Sequence, residues 1–294
     1  MNKRIFPAYL GVILIWSTTP LAIQWSEVGE DFVFPLLARM VIGLTASVMI
    51  MTALRLKLPY HRAALHAYVA AGLGIFGAMQ LVYWGARYIP SGLVAVLFGL
   101  IPLFTGMIGL LLGSEDRLRL AGFAGIILGL AGLGVIFGAG MHIGTQAVPG
   151  FLAVLAAVMV QAGSLVWVKR VGADMPVLAL TTGALILVVT LSLPLWWLLF
   201  GHIPAINRQA SLSILYLGIF GSVAGFTLYF YVTKHLQAGQ VALITLITPV
   251  SALLLGQWLN HEQVNIDIWL GTALILLGLG VHQWQQLIPV SRVK

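Results

Sequence analysis

Ten apolar stretches, each about twenty residues long, follow one another through this chain with only short polar steps between them. They run approximately over residues 6–25, 32–54, 65–87, 91–113, 120–139, 149–170, 176–200, 211–234, 239–259 and 266–286. A helix needs about 20 apolar residues to cross bilayer hydrocarbon, so ten crossings consume roughly 200 residues. The chain has 294, which leaves room for loops and none for a soluble domain. Composition agrees: 60% of residues are hydrophobic and 8% charged, against about 25% charged in a soluble domain. A water-soluble fold of this length has too little interior to hide that much apolar surface. In hydrocarbon every backbone N–H must be paired within its own segment, so long unbroken runs imply helices. A β-barrel would show shorter, alternating segments. No small-residue cleavage site directly follows the first run, Phe6 to Ile23, so that run is expected to stay as a span rather than leave as a signal peptide.

Charge sets the orientation. The net charge of +7 is scattered singly or in pairs between apolar runs, which fits a membrane protein and not a nucleic-acid partner. With the N-terminus inside, the cytoplasmic segments hold Lys3, Arg4, Arg55, Lys57, Arg62, Arg117, Arg119, Lys169, Arg170, Lys234, Arg292 and Lys294, and the outer ones hold Arg87 and Arg208. Twelve against two predicts N-in and C-in termini and an even number of spans. Trp25, Trp196, Trp197, Trp258 and Trp284 are expected as interfacial anchors near helix ends.

The chain also repeats itself. Leu73–Gly74–Ile75–Phe76–Gly77 recurs as Leu217–Gly218–Ile219–Phe220–Gly221. After a slip of three residues the match resumes, with Gly92, Val94, Ala95, Pro102, Gly109 and Glu115 aligned to Gly239, Val241, Ala242, Pro249, Gly256 and Glu262. Spans 3 to 5 therefore resemble spans 8 to 10, and the chain divides into five-helix halves at 1–140 and 147–288. Five is odd, so the second copy is expected upside down, as in transporters whose inverted repeats rock about a midplane site.

Several of these features are similar to the EamA-type branch of the drug/metabolite transporter superfamily. They are Trp16–Ser17–Thr18–Thr19–Pro20 in the first span, Pro35 to Arg39 in the second, the run from Tyr88 to Pro102 with its copy ending at Pro249, and the acidic step at Glu115 and Glu262. The resemblance covers essentially the whole chain. It differs at Ser17, where a Gly commonly follows the first-span Trp. It implies a bacterial inner-membrane carrier working by alternating access, with a central cavity lined by spans 1, 3, 4, 6, 8 and 9. For Arg39 it implies a structural role more than a substrate-binding one.

Pro102 and Pro249 are expected near mid-helix, as symmetry-related kinks that gate or line a cavity. Arg39 is the only charge well inside a span. Three readings stay open for it: a substrate carboxylate or phosphate, a gate partner such as Glu262, and snorkelling to the outer headgroups. Glu115 and Glu262 complete the gating or structural set. Gln80, Tyr83, Trp84 and Arg87 share one helix face, as do Gln161 and Ser164, Trp16 and Thr19, and Phe226 and Tyr229. Aromatics with a few amides and hydroxyls suit a pocket for small amphipathic metabolites; the competing reading is interhelical hydrogen bonding. Gly125/Gly129 and Gly134/Gly138 are expected to serve close helix packing.

All eight carboxylates map to helix ends or loops, so a proton-coupled pump lacks its usual buried acid. His66, His235 and His282 are expected to be solvated. Facilitated diffusion or exchange, or coupling through an unusual group, is therefore expected. No cysteine is present, and no P-loop, HExxH or Gly-x-Ser-x-Gly motif occurs, so neither an enzyme nor a cofactor is expected. An intramembrane lipid-modifying enzyme would need a cluster of His, Asp or Glu at one membrane face. A sugar-phosphate exchanger would need several cavity cations. The expected partners are a small-molecule substrate and the bilayer; both a monomer and a homodimer fit.

Overall fold

The computed structural model describes residues 5–112, 120–143, 147–171, 175–236 and 238–287. The helices are α1 (Ile5–Trp25), α2 (Val33–Ala53), α3 (Arg62–Gly85), α4 (Ser91–Phe98), α5 (Ile101–Leu111), α6 (Leu120–Ile143), α7 (Ala147–Val171), α8 (Val177–Leu199), α9 (Arg208–Tyr216), α10 (Gly225–His235), α11 (Ala238–Asn260) and α12 (Ile266–Leu287). A π-helical segment, Leu217–Ala224, joins α9 to α10. The only β pairing among the described residues is an isolated bridge between Val28 and Asp31. Among the described residues nine stretches are long and apolar enough to cross a membrane, and α6 adds a shorter apolar run, Gly122–Gly138.

Two spans are not the simple helices that their hydropathy implies. The fourth divides at Gly99–Leu100 into α4 and α5, so Pro102 falls in the first turn of α5. It is not the mid-helix kink expected from sequence: at that position a proline's missing N–H breaks no helical bond. Its counterpart Pro249 does sit inside an unbroken helix, α11. The eighth span contains the π segment, in which the Leu217–Gly221 pentapeptide lies. The first copy, Leu73–Gly77, is ordinary α-helix within α3.

Glycine sets how closely the helices approach. The helices α3 and α7 run antiparallel: Gly74 opens a notch for Ser164, Gly77 meets Val160, and Gly85 lies against the Gly150 carbonyl. The pair α6 and α12 is also antiparallel, with Gly125 opposite Gly278 and Gly132 opposite Gly271. There main chain meets main chain, a packing that side chains would hold apart. Gly125 and Gly129 serve packing as expected, Gly129 against Leu103; Gly134 and Gly138 face open space. That second pair does no packing work, because the inward face of α6 passes through Gly125, Gly129 and Gly132. Elsewhere α2 packs on α8 and on the π segment, α4 on α11, α5 on α7, and α1 on α10 and α11.

Tryptophans mark span ends. Trp197 and Trp258 are 68% and 76% exposed. Trp196 donates to Asp31 Oδ2 at 2.9 Å, and Asp31 Oδ1 accepts from the Val33 and Phe34 amides. Asp31 thus caps the first turn of α2, whose free N–H groups need an acceptor. The side chain of Trp284 lies outside the described residues.

Candidate functional site

The expected aromatic wall assembles where α1 meets the π segment and α10. The Trp16 ring lies 4.8 Å from Tyr229 and 6.3 Å, edge to face, from Phe226. Glycine makes the approach possible: a Cβ on Gly225 would sit 3.2 Å from the Trp16 indole nitrogen. One turn further along α1, Thr19 donates back to the Ile15 carbonyl at 2.6 Å. Beside it Thr18 and Tyr216 share a hydrogen bond of 2.6 Å.

Arg39 reaches the same seam from α2. It is 5% exposed, and its Nε donates to Ser222 Oγ at 3.0 Å. Ser222 in turn donates to the Leu217 carbonyl at 3.0 Å within the π segment. A Cβ on Gly221 would lie 3.2 Å from Arg39 Nη2 and 3.7 Å from Thr19 Oγ1. Arg39 Nη1 is buried with no hydrogen-bond partner. Two sequence readings of Arg39 are corrected. It forms no pair with Glu262, because that carboxylate is held elsewhere by Asn260. It does not snorkel, because its head is buried against the π segment instead of reaching out along α2.

On α3, Tyr83 is 2% exposed and its hydroxyl is buried without a partner. Both polar atoms of the Gln80 carboxamide are likewise buried and unpartnered. Trp84 turns to Tyr88, 5.1 Å between rings. Arg87 leaves the face for the first loop, donating to the Gly29 and Glu30 carbonyls. Nearby, burial raises the Glu27 carboxyl above its ordinary range and Arg87 draws it partly back. On α7, Ser164 donates to the Ala70 carbonyl at 2.9 Å and fills the Gly74 notch, which commits it to the helix seam. Gln161 is half-buried.

A second polar cluster, not anticipated from sequence, clamps one end of the bundle. Asn260 donates to Gln24 Oε1 at 3.1 Å and to Glu262 Oε1 at 2.9 Å, and accepts from Trp25 at 3.0 Å. Gln24 donates to the Ala86 and Ile89 carbonyls. Glu262 Oε2 accepts from the Gly92 amide at 3.5 Å, in the first turn of α4, where the helix dipole favours a negative charge. The signal available in the sequence was two amides, Gln24 and Asn260, at span ends where charged residues are commoner. Glu115, the sequence counterpart of Glu262, lies outside the described residues.

His282 corrects another expectation. It is 8% exposed, its Nδ1 has no partner, its ring lies against Gly106 of α5, and its Cβ and main-chain nitrogen lie against Gly125 of α6. The absence of a side chain on Gly106 makes the space for the imidazole. His66 and His235 are exposed. Among the described residues no three His, Asp or Glu side chains gather as a metal site. An open groove of about 480 Å³ between α1 and α10, lined by Pro7, Ala8, Thr227, Leu228 and Tyr231, is almost wholly apolar. It lacks the buried polar atoms described above. Those atoms are closed over by the bundle.

The sequence profile of the EamA-like transporter family matches residues 5–138 and 148–282. The chain belongs to the EamA-like transporter family. This EamA protein is 28% identical over 284 residues to the uncharacterized transporter YoaV of Bacillus subtilis, covering 94% of this chain and 95% of that one. It is 26% identical to the uncharacterized inner membrane transporter YedA of Escherichia coli K12, over 94% and 89% of the two chains. A relative in Streptantibioticus cattleyicolor, named "probable terminal-alkyne amino-acid exporter", is 24% identical over 95% and 93%. One crystal structure superposes with a TM-score of 0.67 over 97% of this chain and 98% of its own, at 23% identity, which supports the fold. Apolar spans, family and relatives together make this a multi-pass inner-membrane transporter, not an enzyme.

Proposed function

We propose that this EamA protein carries small metabolites, such as amino acids, nucleosides or drug-like compounds, outward across the inner membrane by alternating access. The observation that carries this reading is the set of polar atoms buried without partners inside an apolar bundle: the Gln80 carboxamide and the Tyr83 hydroxyl. Each such group costs about 1–3 kcal/mol when left unpaired. A bundle that keeps them gains something from them in another state, and for a carrier that is a polar substrate. The aromatic wall of Trp16, Phe226 and Tyr229 supplies the apolar side of such a site.

The finer architecture we propose is two inverted five-helix repeats, 1–140 and 147–288, with both termini in the cytoplasm. Helix pairing supports it. Exchanging each span for its counterpart five along turns the pairing of span 3 with span 6 into that of span 8 with span 1. The same exchange turns span 3 on span 7 into span 8 on span 2, and all four pairings occur. The Lys/Arg bias supports the orientation. The outer network of Gln24, Asn260 and Glu262 then acts as a gate on the outer side, with Pro102 and Pro249 at the joints of the gating spans. A sugar-phosphate exchanger is the second reading; it is weakened because Arg39 is the only buried Lys or Arg among the described residues.

Efflux from proteoliposomes loaded with labelled amino acids, nucleosides and sugar phosphates tests the proposal. Saturable efflux of one class is expected. No efflux of any compound from folded protein would remove it. A pH-gradient arm is included because His282 is a buried imidazole inside the bundle.

A further inference from the structure

We propose that Arg39 is the seat of a carboxylate on the transported compound, and that the aromatic wall one turn away holds the compound's apolar body. The inference rests on the transporter reading above and narrows its substrate to carboxylates with an aromatic or similarly flat body.

The argument starts from charge. A guanidinium remains protonated in any protein environment, and burying a cation without a counter-charge is costly. Arg39 is buried, and no carboxylate pairs with it among the described residues. Its only hydrogen bond among the described residues goes to a neutral hydroxyl, Ser222, through Nε. That bond fixes the plane of the guanidinium and leaves its Nη edge uncommitted, with Nη1 buried and unpartnered. An arginine whose role ended at helix packing would be expected to spend those donors on backbone carbonyls. A carboxylate fits two parallel N–H groups in a fork. Its single negative charge also equals the single buried positive charge among the described residues, whereas a phosphate dianion would bring an excess that no second buried Lys or Arg among them offsets.

Geometry adds the body of the ligand. Gly221 and Gly225 stand one turn apart on the π segment and its junction with α10. Gly221 faces Arg39 Nη2 and Thr19; Gly225 faces the Trp16 indole. The two glycines set Arg39, Thr19 and Trp16 in line along one seam, which is closely packed in the described arrangement; a compound with its carboxylate at Arg39 would lie along that line toward Trp16 and Phe226 when the seam opens. A π segment in this place fits the recurrence of such irregular turns at functional sites.

The test uses compounds with one ring and different heads: 3-phenylpropionate, L-phenylalanine, phenethylamine and phenyl phosphate. Binding is followed by tryptophan fluorescence of the full chain in detergent, and transport by efflux of the same compounds from proteoliposomes. The two carboxylates are expected to bind about tenfold to a hundredfold more tightly than the amine, the worth of one charged hydrogen-bonded pair, and more tightly than the phosphate. Arg39→Gln is expected to abolish that preference and Arg39→Lys to restore part of it. Ser222→Ala, which keeps the charge but frees its plane, is expected to weaken carboxylate binding several-fold and leave phenethylamine unchanged. This last variant and the head-group series in wild type stand even where Arg39→Gln does not fold. Equal binding of amine and carboxylate, preference for the phosphate, unaltered selectivity in a folded Arg39→Gln, or no binding by any of the four overturns the carboxylate seat. Efflux that ignores the head group and survives Arg39→Gln would overturn it while leaving the transporter reading intact.

Discussion

The same five residues, Leu-Gly-Ile-Phe-Gly, occur at 73–77 and at 217–221 and fold differently. In α3 they are regular α-helix; in the eighth span they begin a π segment. Local propensity is identical in the two copies, so the difference is imposed by neighbours. The first copy is gripped by α7, where Ser164 enters the notch at Gly74 and Val160 meets Gly77. The second meets Ile42 at Gly218 and the guanidinium of Arg39 at Gly221. The copies also diverge at the very next residue: Ala78, fully buried, against Ser222, which bonds both Arg39 and the Leu217 carbonyl. A widened turn needs its displaced carbonyl groups satisfied, and a hydroxyl reaching back five residues does so.

Substitutions ordered by expected effect probe that difference. Gly74→Ala drives a Cβ into Ser164 and is expected to cost about 1–3 kcal/mol of overpacking. The loss would appear as a lower melting temperature in detergent, and Ser164→Gly in the same chain should recover most of it. If Gly74→Ala is neutral, α3 is not held by that notch. Ser222→Ala removes two hydrogen bonds and is expected to cost about 1–2 kcal/mol. Faster amide exchange should appear over 217–224 and not over 73–77; exchange rising equally in both would mean that Ser222 does not maintain the π turn. Gly221→Ala places a Cβ against the end of a long side chain, which yields, so about 1 kcal/mol or less is expected. Pro102→Ala is expected to change stability by about half a kcal/mol or less, because the proline sits in a first turn. Pro249→Ala, inside continuous α11, is expected to alter transport rate more than Pro102→Ala does. Equal effects on efflux would make the two prolines equivalent after all.

Length and hydropathy were enough to draw the spans, because the bilayer enforces both. The meeting of Trp16 with Phe226 and Tyr229 was half legible: each pair could be assigned to a helix face, but which faces meet depends on packing. The break at Gly99–Leu100 was hidden within a continuous apolar run, since hydropathy does not register a single turn of broken helix. His282 was misjudged for a related reason. Nearness to a span end suggests water, but Gly106 on α5 leaves room for the imidazole, and Gly125 lets the His282 main chain come close to α6. The Gln24–Asn260–Glu262 clamp joins positions more than 230 residues apart, a distance over which no local pattern speaks.

The seam between α6 and α12 constrains how the halves can move. At Gly125, Gly132, Gly271 and Gly278 backbone lies on backbone, with carbonyl oxygens seated in the opposite helix. Sliding one helix along the other would carry each carbonyl out of its glycine and into a bulkier neighbour such as Ile275 or Leu128. Turning about the line of contact meets no such ratchet. The seam is thus an axle: it resists axial slip and tolerates rotation. If the proposed halves alternate, the working stroke is expected to be a roll of one half about α6 and α12, with the largest travel at the far edge of the bundle.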